Sequence, residues 1–145
     1  MKTNVTDSAA ARDAGIRVLK KLGWPLDSGF ADMDRQFWDF TTEHLFGQLW
    51  ARPGLSLRDR ALVTISVLLA VDADRGSMNH LRYARNLGIT EEEMREIILQ
   101  VGYYAGWPKG AHAMARFTKI LNDPKSGWRK PRMKKNQKQS ARRKA

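Results

Sequence analysis

Three histidines are the residues best suited to proton chemistry in this 145-residue chain: His44, His80 and His112. An imidazole with an ordinary pKa of about 6.5 exchanges protons near neutral pH. Their settings differ. His80 follows a short break, Asp72-Ala73-Asp74, on a helix whose Leu81 and Ala84 point inward. That puts its ring at the rim of a core, a half-buried setting suited to proton transfer. Arg82 and Arg85 share the helix but point to other faces. His112 keeps company with Lys109, Arg116 and Lys119 at helical spacing, which reads as a solvated basic face. His44 lies near Glu43 and Phe40 on an aromatic-rich helix and suits an interface pocket. Arg52, between Trp50 and Pro53 at a sharp turn, offers a planar fork to a carboxylate. Pairing with Glu43 or with a helix C-terminus accounts for it equally well.

Much other chemistry is excluded. The chain has no cysteine, so disulfides, thiolate nucleophiles and thiol redox cycles are ruled out. It has no Gly-rich phosphate loop, no H-E-x-x-H, no His/Cys metal spacing and no G-x-S-x-G.

These groups need elements to hold them. The length suits one domain. Helix punctuation divides the chain into about six segments, and no stretch alternates as a strand would, so the expected class is all-α. The first segment runs from near Asp7 to Leu22 and stops at Gly23 and Pro25. The second follows Asp27-Ser28, carries Phe30, Met33, Phe37 and Phe40 at helical spacing, and reaches Trp50. Ser56-Leu-Arg-Asp59 resembles a capping box and opens a third, where Ala61 to Val71 is apolar nearly all round. That run predicts a fully buried helix. A fourth helix carries His80 to Leu87, with Gly88 as its C-terminal cap. Thr90-Glu-Glu-Glu93 opens a fifth, with Met94, Ile97, Ile98, Val101 and Tyr104 inward. Gly106-Trp107-Pro108 starts a sixth, with Ala111, Met114, Ala115, Thr118 and Leu121 on one side. Six aromatic residues crowd Phe30 to Trp50. Most are expected in the core, with part of the second helix packing on another protomer, since aromatics are enriched at interfaces.

The net charge of +11 is local. Lys125 to Ala145 holds ten basic residues and no acid, and what precedes it is nearly neutral. Residues 1–124 are expected to form the domain, and 125–145 a basic, disordered tail. Such a tail can bind nucleic acid by releasing counterions. It has no aromatic interleaving beyond Trp128, so a solubilising role is favoured. No run approaches the roughly 20 apolar residues that cross a bilayer, and Met1 to Leu22 lacks the apolar block of a secretion signal. A cytoplasmic location is expected.

Several stretches together resemble one family. They are Thr42-Glu-His-Leu-Phe-Gly-Gln-Leu-Trp-Ala-Arg-Pro-Gly-Leu55, Leu57-Arg-Asp-Arg-Ala-Leu-Val-Thr-Ile65, His80 with Ala84-Arg-Asn-Leu-Gly-Ile-Thr-Glu-Glu-Glu93, Ile98-Leu-Gln100 and Tyr104-Ala-Gly-Trp-Pro108. Their order and spacing resemble the carboxymuconolactone decarboxylase family of the alkylhydroperoxidase-D-like superfamily, in its decarboxylase branch. The resemblance implies an all-α bundle of about six helices per protomer, assembled as a trimer or hexamer. It implies cofactor-free removal of a carboxyl group from a small carboxylated lactone or related cyclic acid. It casts His80 as proton-transfer group, Glu43 as its orienting partner and Arg52 as carboxylate anchor. Trp50, Tyr104 and Trp107 join Arg52 as substrate-binding residues. The thiol-peroxidase branch of the superfamily needs a glutamate and two cysteines where this chain has Ala61, Ala73 and Gly76. The decarboxylase branch commonly carries a carboxylate at the Gly76 place and a cysteine at that of Ala105. The alternatives are another lyase, isomerase or hydrolase reaction on a cyclic acid, or a non-catalytic oligomeric scaffold with a nucleic-acid-binding tail.

Overall fold

A computed structural model describes residues 8–26 and 34–128. Helix α1 (Ser8–Leu22) is followed by α2 (Arg35–Phe40), which widens without a break into a π-helical segment, Thr41–Trp50. Then come α3 (Leu57–Ala70), α4 (Asp74–Tyr83) with a 3₁₀ turn at Ala84–Leu87, α5 (Glu91–Ala105) and α6 (Trp107–Asn122). Among the described residues there is no strand, and the protein is all-α.

The helix starts follow local chemistry. Asp34 caps α2 by accepting from the Phe37 amide at 2.6 Å. The Ser56 hydroxyl accepts from the Asp59 amide at 3.0 Å and donates to the Asp59 carboxylate at 2.7 Å. Thr90 and Glu93 form a full capping box, with bonds of 3.1 and 2.9 Å. Arg58 reaches across from α3 to pair with Glu93, which ties two helix starts together.

The widening after α2 begins where Thr41 and Thr42 donate their hydroxyls to the carbonyls of Phe37 and Trp38, at 2.8 and 2.9 Å. Hydroxyls bonded one turn back disturb an α-helical ladder. The result is two lines at four-residue spacing. Trp38, Thr42, Phe46 and Trp50 are buried, while Phe37, Thr41, Leu45 and Leu49 face a cavity. Phe37 and Phe40, expected inward, are more than half exposed, because the Trp38 side of α2 faces the core. Phe30 and Met33 lie outside the described residues.

Helix α1 lies against this segment with backbones almost touching. A Cβ on Gly15 would stand 2.0 Å from the Thr42 carbonyl oxygen, and one on Gly47 would stand 2.0 Å from that of Ala11. Only glycine permits that approach.

Three expectations are corrected. Helix α3 is not buried all round. Ala61, Ile65 and Leu69 enter the core, but Val63, Val67 and Val71 are 55–65% exposed, because the described residues pack against one side of the helix only. In α5 the inward line runs Met94, Ile98 and Val101 to Ala105, so Tyr104 falls outside it and is 85% exposed. In α6 the inward residues are Gly110, Ala113, Phe117, Ile120 and Leu121. The close approach of Gly110 to Gly102 sets that register.

The domain also continues past Pro124. Arg82 bonds Asp123 at 2.6 Å, and Arg85 donates to the Ser126 carbonyl at 2.9 Å. The Trp128 indole donates to the Leu81 and Arg82 carbonyls and packs edge-on against Phe117. Packed chain therefore reaches Trp128; the rest of the basic stretch lies outside the described residues.

The glycine contact gives a test. Gly47→Ala should cost about 1–3 kcal/mol or more in urea unfolding, as overpacking does. Gly54→Ala, where an added Cβ meets nothing within 4 Å, should stay within about 0.5 kcal/mol of wild type.

Candidate active site

A cavity of about 370 Å³ opens between the π-helical segment, α3, α4 and the chain just after α1. Eight of its fourteen lining residues are apolar: Trp24, Phe37, Trp38, Leu45, Phe46, Leu49, Trp50 and Leu68. The polar ones are Thr41, Thr64, Arg75, Asn79 and His80, and Gly76 completes the wall. That size and mixture are typical of small-molecule sites.

His80 sits between two indoles. The Trp24 ring meets it edge-on at 4.9 Å, and the Trp50 ring stacks on it at 5.8 Å with 24° between planes. Phe46 touches both indoles, at 5.4 and 5.8 Å, and so fixes the pair. Burial pushes the imidazole pKa down from 6.5 to about 4. No charge or hydrogen bond contributes to that shift. The ring is therefore neutral at pH 7. A nearby anion would reverse the effect, since opposite charge favours the imidazolium.

The start of α4 sets where His80 stands. Asp72 holds a left-handed backbone, φ 54°, in the turn between α3 and α4. Its carboxylate lies 3.0 Å from Nδ1 of His112 and 2.7 Å from the Arg116 guanidinium, both on α6. Those two partners, His112 first, hold the Asp72 carboxyl below the usual carboxylate range. Lys109 of α6 donates to the Ala70 carbonyl at 2.6 Å. On the basic face expected on α6, Lys109, His112 and Arg116 also clamp this turn, while His112 and Lys119 stay exposed to solvent. Along α4, Ser77 and Leu81 go into the core, leaving Gly76, Asn79 and His80 on the cavity side.

Of the residues singled out from the sequence, the structure brings His80 and Trp50 together. It does not bring Arg52 or Glu43 to them. Arg52 is exposed in a separate depression with Arg17 and Lys21, on the other side of Trp50. The reason is the turn after Trp50, which carries the chain back toward α1. Glu43 faces α1, where it accepts from the Ser8 hydroxyl at 2.7 Å and lies 3.8 Å from Arg12. Tyr104 and Trp107 are exposed around the α5–α6 junction, and Trp107 lines a different small pocket with Ile98 and Met114. His44 is exposed beside Phe40, with ring centres 5.1 Å apart.

The cation that does line the cavity is Arg75, which sequence reasoning missed. Its signal was its place on α4, one residue before Gly76 and four before Asn79. Trp24 was missed too, because it belongs to no helix. Among the described residues, no group of three or more His, Asp or Glu side chains is placed to hold a metal ion. No helix among them is long and apolar enough to cross a membrane.

The neutral burial of His80 predicts a pH effect on stability. As pH falls, the unfolded chain takes up this proton near 6.5 and the folded chain only near 4. The contribution is therefore complete above pH 6.5 and lost progressively down to about pH 4. Between pH 7.5 and pH 5, urea unfolding should lose about 2 kcal/mol from this group. His80→Gln should remove that part of the pH dependence; an unchanged slope would contradict the burial.

Comparison with known proteins agrees with this architecture. Residues 35–119, from the start of α2 into α6, match the model of the carboxymuconolactone decarboxylase family. A 4-carboxymuconolactone decarboxylase from Acinetobacter baylyi is 38% identical over 92 residues, covering 63% of this chain and 69% of that protein. A nitrosuccinic acid decarboxylase from Metarhizium robertsii is 36% identical over 85 residues, covering 59% of each chain. The match includes every lining residue of the His80 cavity except Trp24. This chain belongs to the carboxymuconolactone decarboxylase family.

Proposed function

We propose that the chain is a decarboxylase acting in the His80 cavity on a small carboxylated lactone or related cyclic acid. The observation that carries the reading is an imidazole held inside an apolar cavity that has a guanidinium among its lining groups. Both relatives named above are decarboxylases, which supports the reaction class.

The chemistry has two parts. The bond between the substrate carbon and its carboxylate breaks, and carbon dioxide leaves. The electron pair stays on the substrate, where a neighbouring carbonyl or similar group spreads it. That carbon then takes a proton from the imidazolium of His80, which returns to the neutral form. Arg75 binds the incoming anion and helps stabilise the developing charge. The imidazolium arises because an anion in the cavity raises the imidazole pKa, so the proton enters with the substrate. The apolar walls exclude water and strengthen each of these interactions. The route uses groups of this chain alone.

We further propose that the protein acts as a homo-oligomer, a trimer or hexamer. The exposed valines of α3 and the exposed Tyr103, Tyr104 and Trp107 support this, being apolar surface that a second copy would cover.

The test is carbon dioxide release from a panel of carboxylated lactones and cyclic acids, 4-carboxymuconolactone among them. Wild type should turn over at least one. His80→Gln should lower kcat/KM by about two to four orders of magnitude, the usual range for a general acid. Arg75→Ala should raise KM more than it lowers kcat. A loss confined to Arg52→Ala would return the anchor to that residue, and full activity of His80→Gln would overturn the proton-transfer role.

A further inference from the structure

The depression on the far side of Trp50 has a charge pattern of its own. Arg17 and Lys21 stand one turn apart on α1 and line it together with Arg52, which comes from the turn after the π-helical segment. Two elements thus bring three cations to one hollow of about 340 Å³. Like charges one turn apart on a helix repel, and a third from another element adds to that cost. Lys21 alone has a local reason, since a cation in the last turn suits a helix C-terminus. That reason does not extend to Arg52. Farther back on α1, Arg12 is paired with Asp39, whereas Arg17, Lys21 and Arg52 form no ion pair with a described residue.

The walls of the depression are held firmly. Helix α1 meets the π-helical segment at the Gly15 and Gly47 backbone contacts, which fix the two walls against each other. The turn presenting Arg52 is tied through its backbone. The Arg52 amide donates to the Leu49 carbonyl at 3.3 Å, and its carbonyl accepts from the Arg60 guanidinium at 3.1 Å. Beside the cations the hollow offers Leu55, Leu57 and the outer side of Trp50. Two planar forks and one point charge around a common centre suit a phosphoryl group, whose oxygens face several directions. A lone carboxylate is satisfied by one fork.

We propose that this depression is a second binding site, separate from the His80 cavity, for a small phosphate monoester. The phosphoryl group lies among Arg17, Lys21 and Arg52, and the apolar part lies against Leu55 and Leu57. The site stands whether or not the His80 cavity turns over an acid.

Calorimetric titration of the full-length chain at physiological ionic strength tests this, with phenyl phosphate and benzoate as probes. Salt at that level screens loose binding to the basic C-terminal stretch. Phenyl phosphate should saturate a single site per chain. It should bind at least about tenfold tighter than benzoate, which brings one charge where the phosphate brings nearly two. Arg17→Ala, Lys21→Ala and Arg52→Ala should each weaken phenyl phosphate about fivefold or more, the loss of one charge-assisted contact at a partly exposed site. Lys20→Ala makes the same change in net charge outside the depression and should stay within about twofold of wild type. So should Arg75→Ala, whose guanidinium lines the other cavity. All five positions are exposed, and circular dichroism should show the helices intact in every variant. The absence of saturable binding would overturn the proposal, as would benzoate binding as tightly as phenyl phosphate. Losses as large in Lys20→Ala as in Arg52→Ala would mean attraction by net charge alone and would overturn it too. So would a loss confined to Arg75→Ala, which would put the phosphate in the His80 cavity.

Discussion

Everything at this site depends on holding one imidazole uncharged between two indoles. Water would solvate a charged His80 ring, and the cavity does not. The shift from 6.5 to about 4 corresponds to roughly 3 kcal/mol against the imidazolium. That penalty is what makes the ring responsive to a bound anion. A histidine already paired with a carboxylate would carry its proton permanently and gain little from a ligand. Here no such partner shifts it, so the ligand's own charge becomes the switch.

Three separate parts of the chain meet that requirement. The π-helical segment brings Trp50 and Phe46, and the short loop after α1 brings Trp24. Helix α4 brings His80 itself. The Asp72 turn fixes the start of α4 by contacts with α6, and its left-handed backbone costs of order 1–3 kcal/mol that the clamp must offset. The glycine contact between α1 and the π-helical segment plays the same part on the other wall. Without it the segment would stand off from α1, and the indole pair would lose its support.

Much of this was legible in the residues. Capping chemistry at Ser56 and Thr90, glycine stops and the absence of alternation identify a helical chain. His80 stands out because Leu81 and Ala84 assign the core side of its helix. What resisted reading is physical. The aromatic cluster reads as core throughout, yet the folded segment buries the line Trp38, Thr42, Phe46 and Trp50 and leaves Phe37 and Phe40 more than half exposed. Arg52 sits two residues from Trp50 in sequence, yet the turn between them sends the two side chains to different depressions. Glu43 looks like a partner for His80 or Arg52 until α1 is packed, when Ser8 and Arg12 claim it. The outer face of α3 reads as buried because its valines are apolar, and only the fold shows that no other described residue covers them.

The most direct measurement is an NMR titration of the His80 ring carbons in the ligand-free, full-length protein. The ring should show an inflection near pH 4, well separated from ordinary histidines, and a shift to higher pH when a carboxylate ligand occupies the cavity. An inflection near 6.5 in the free protein, or one that a bound carboxylate leaves unmoved, would contradict it.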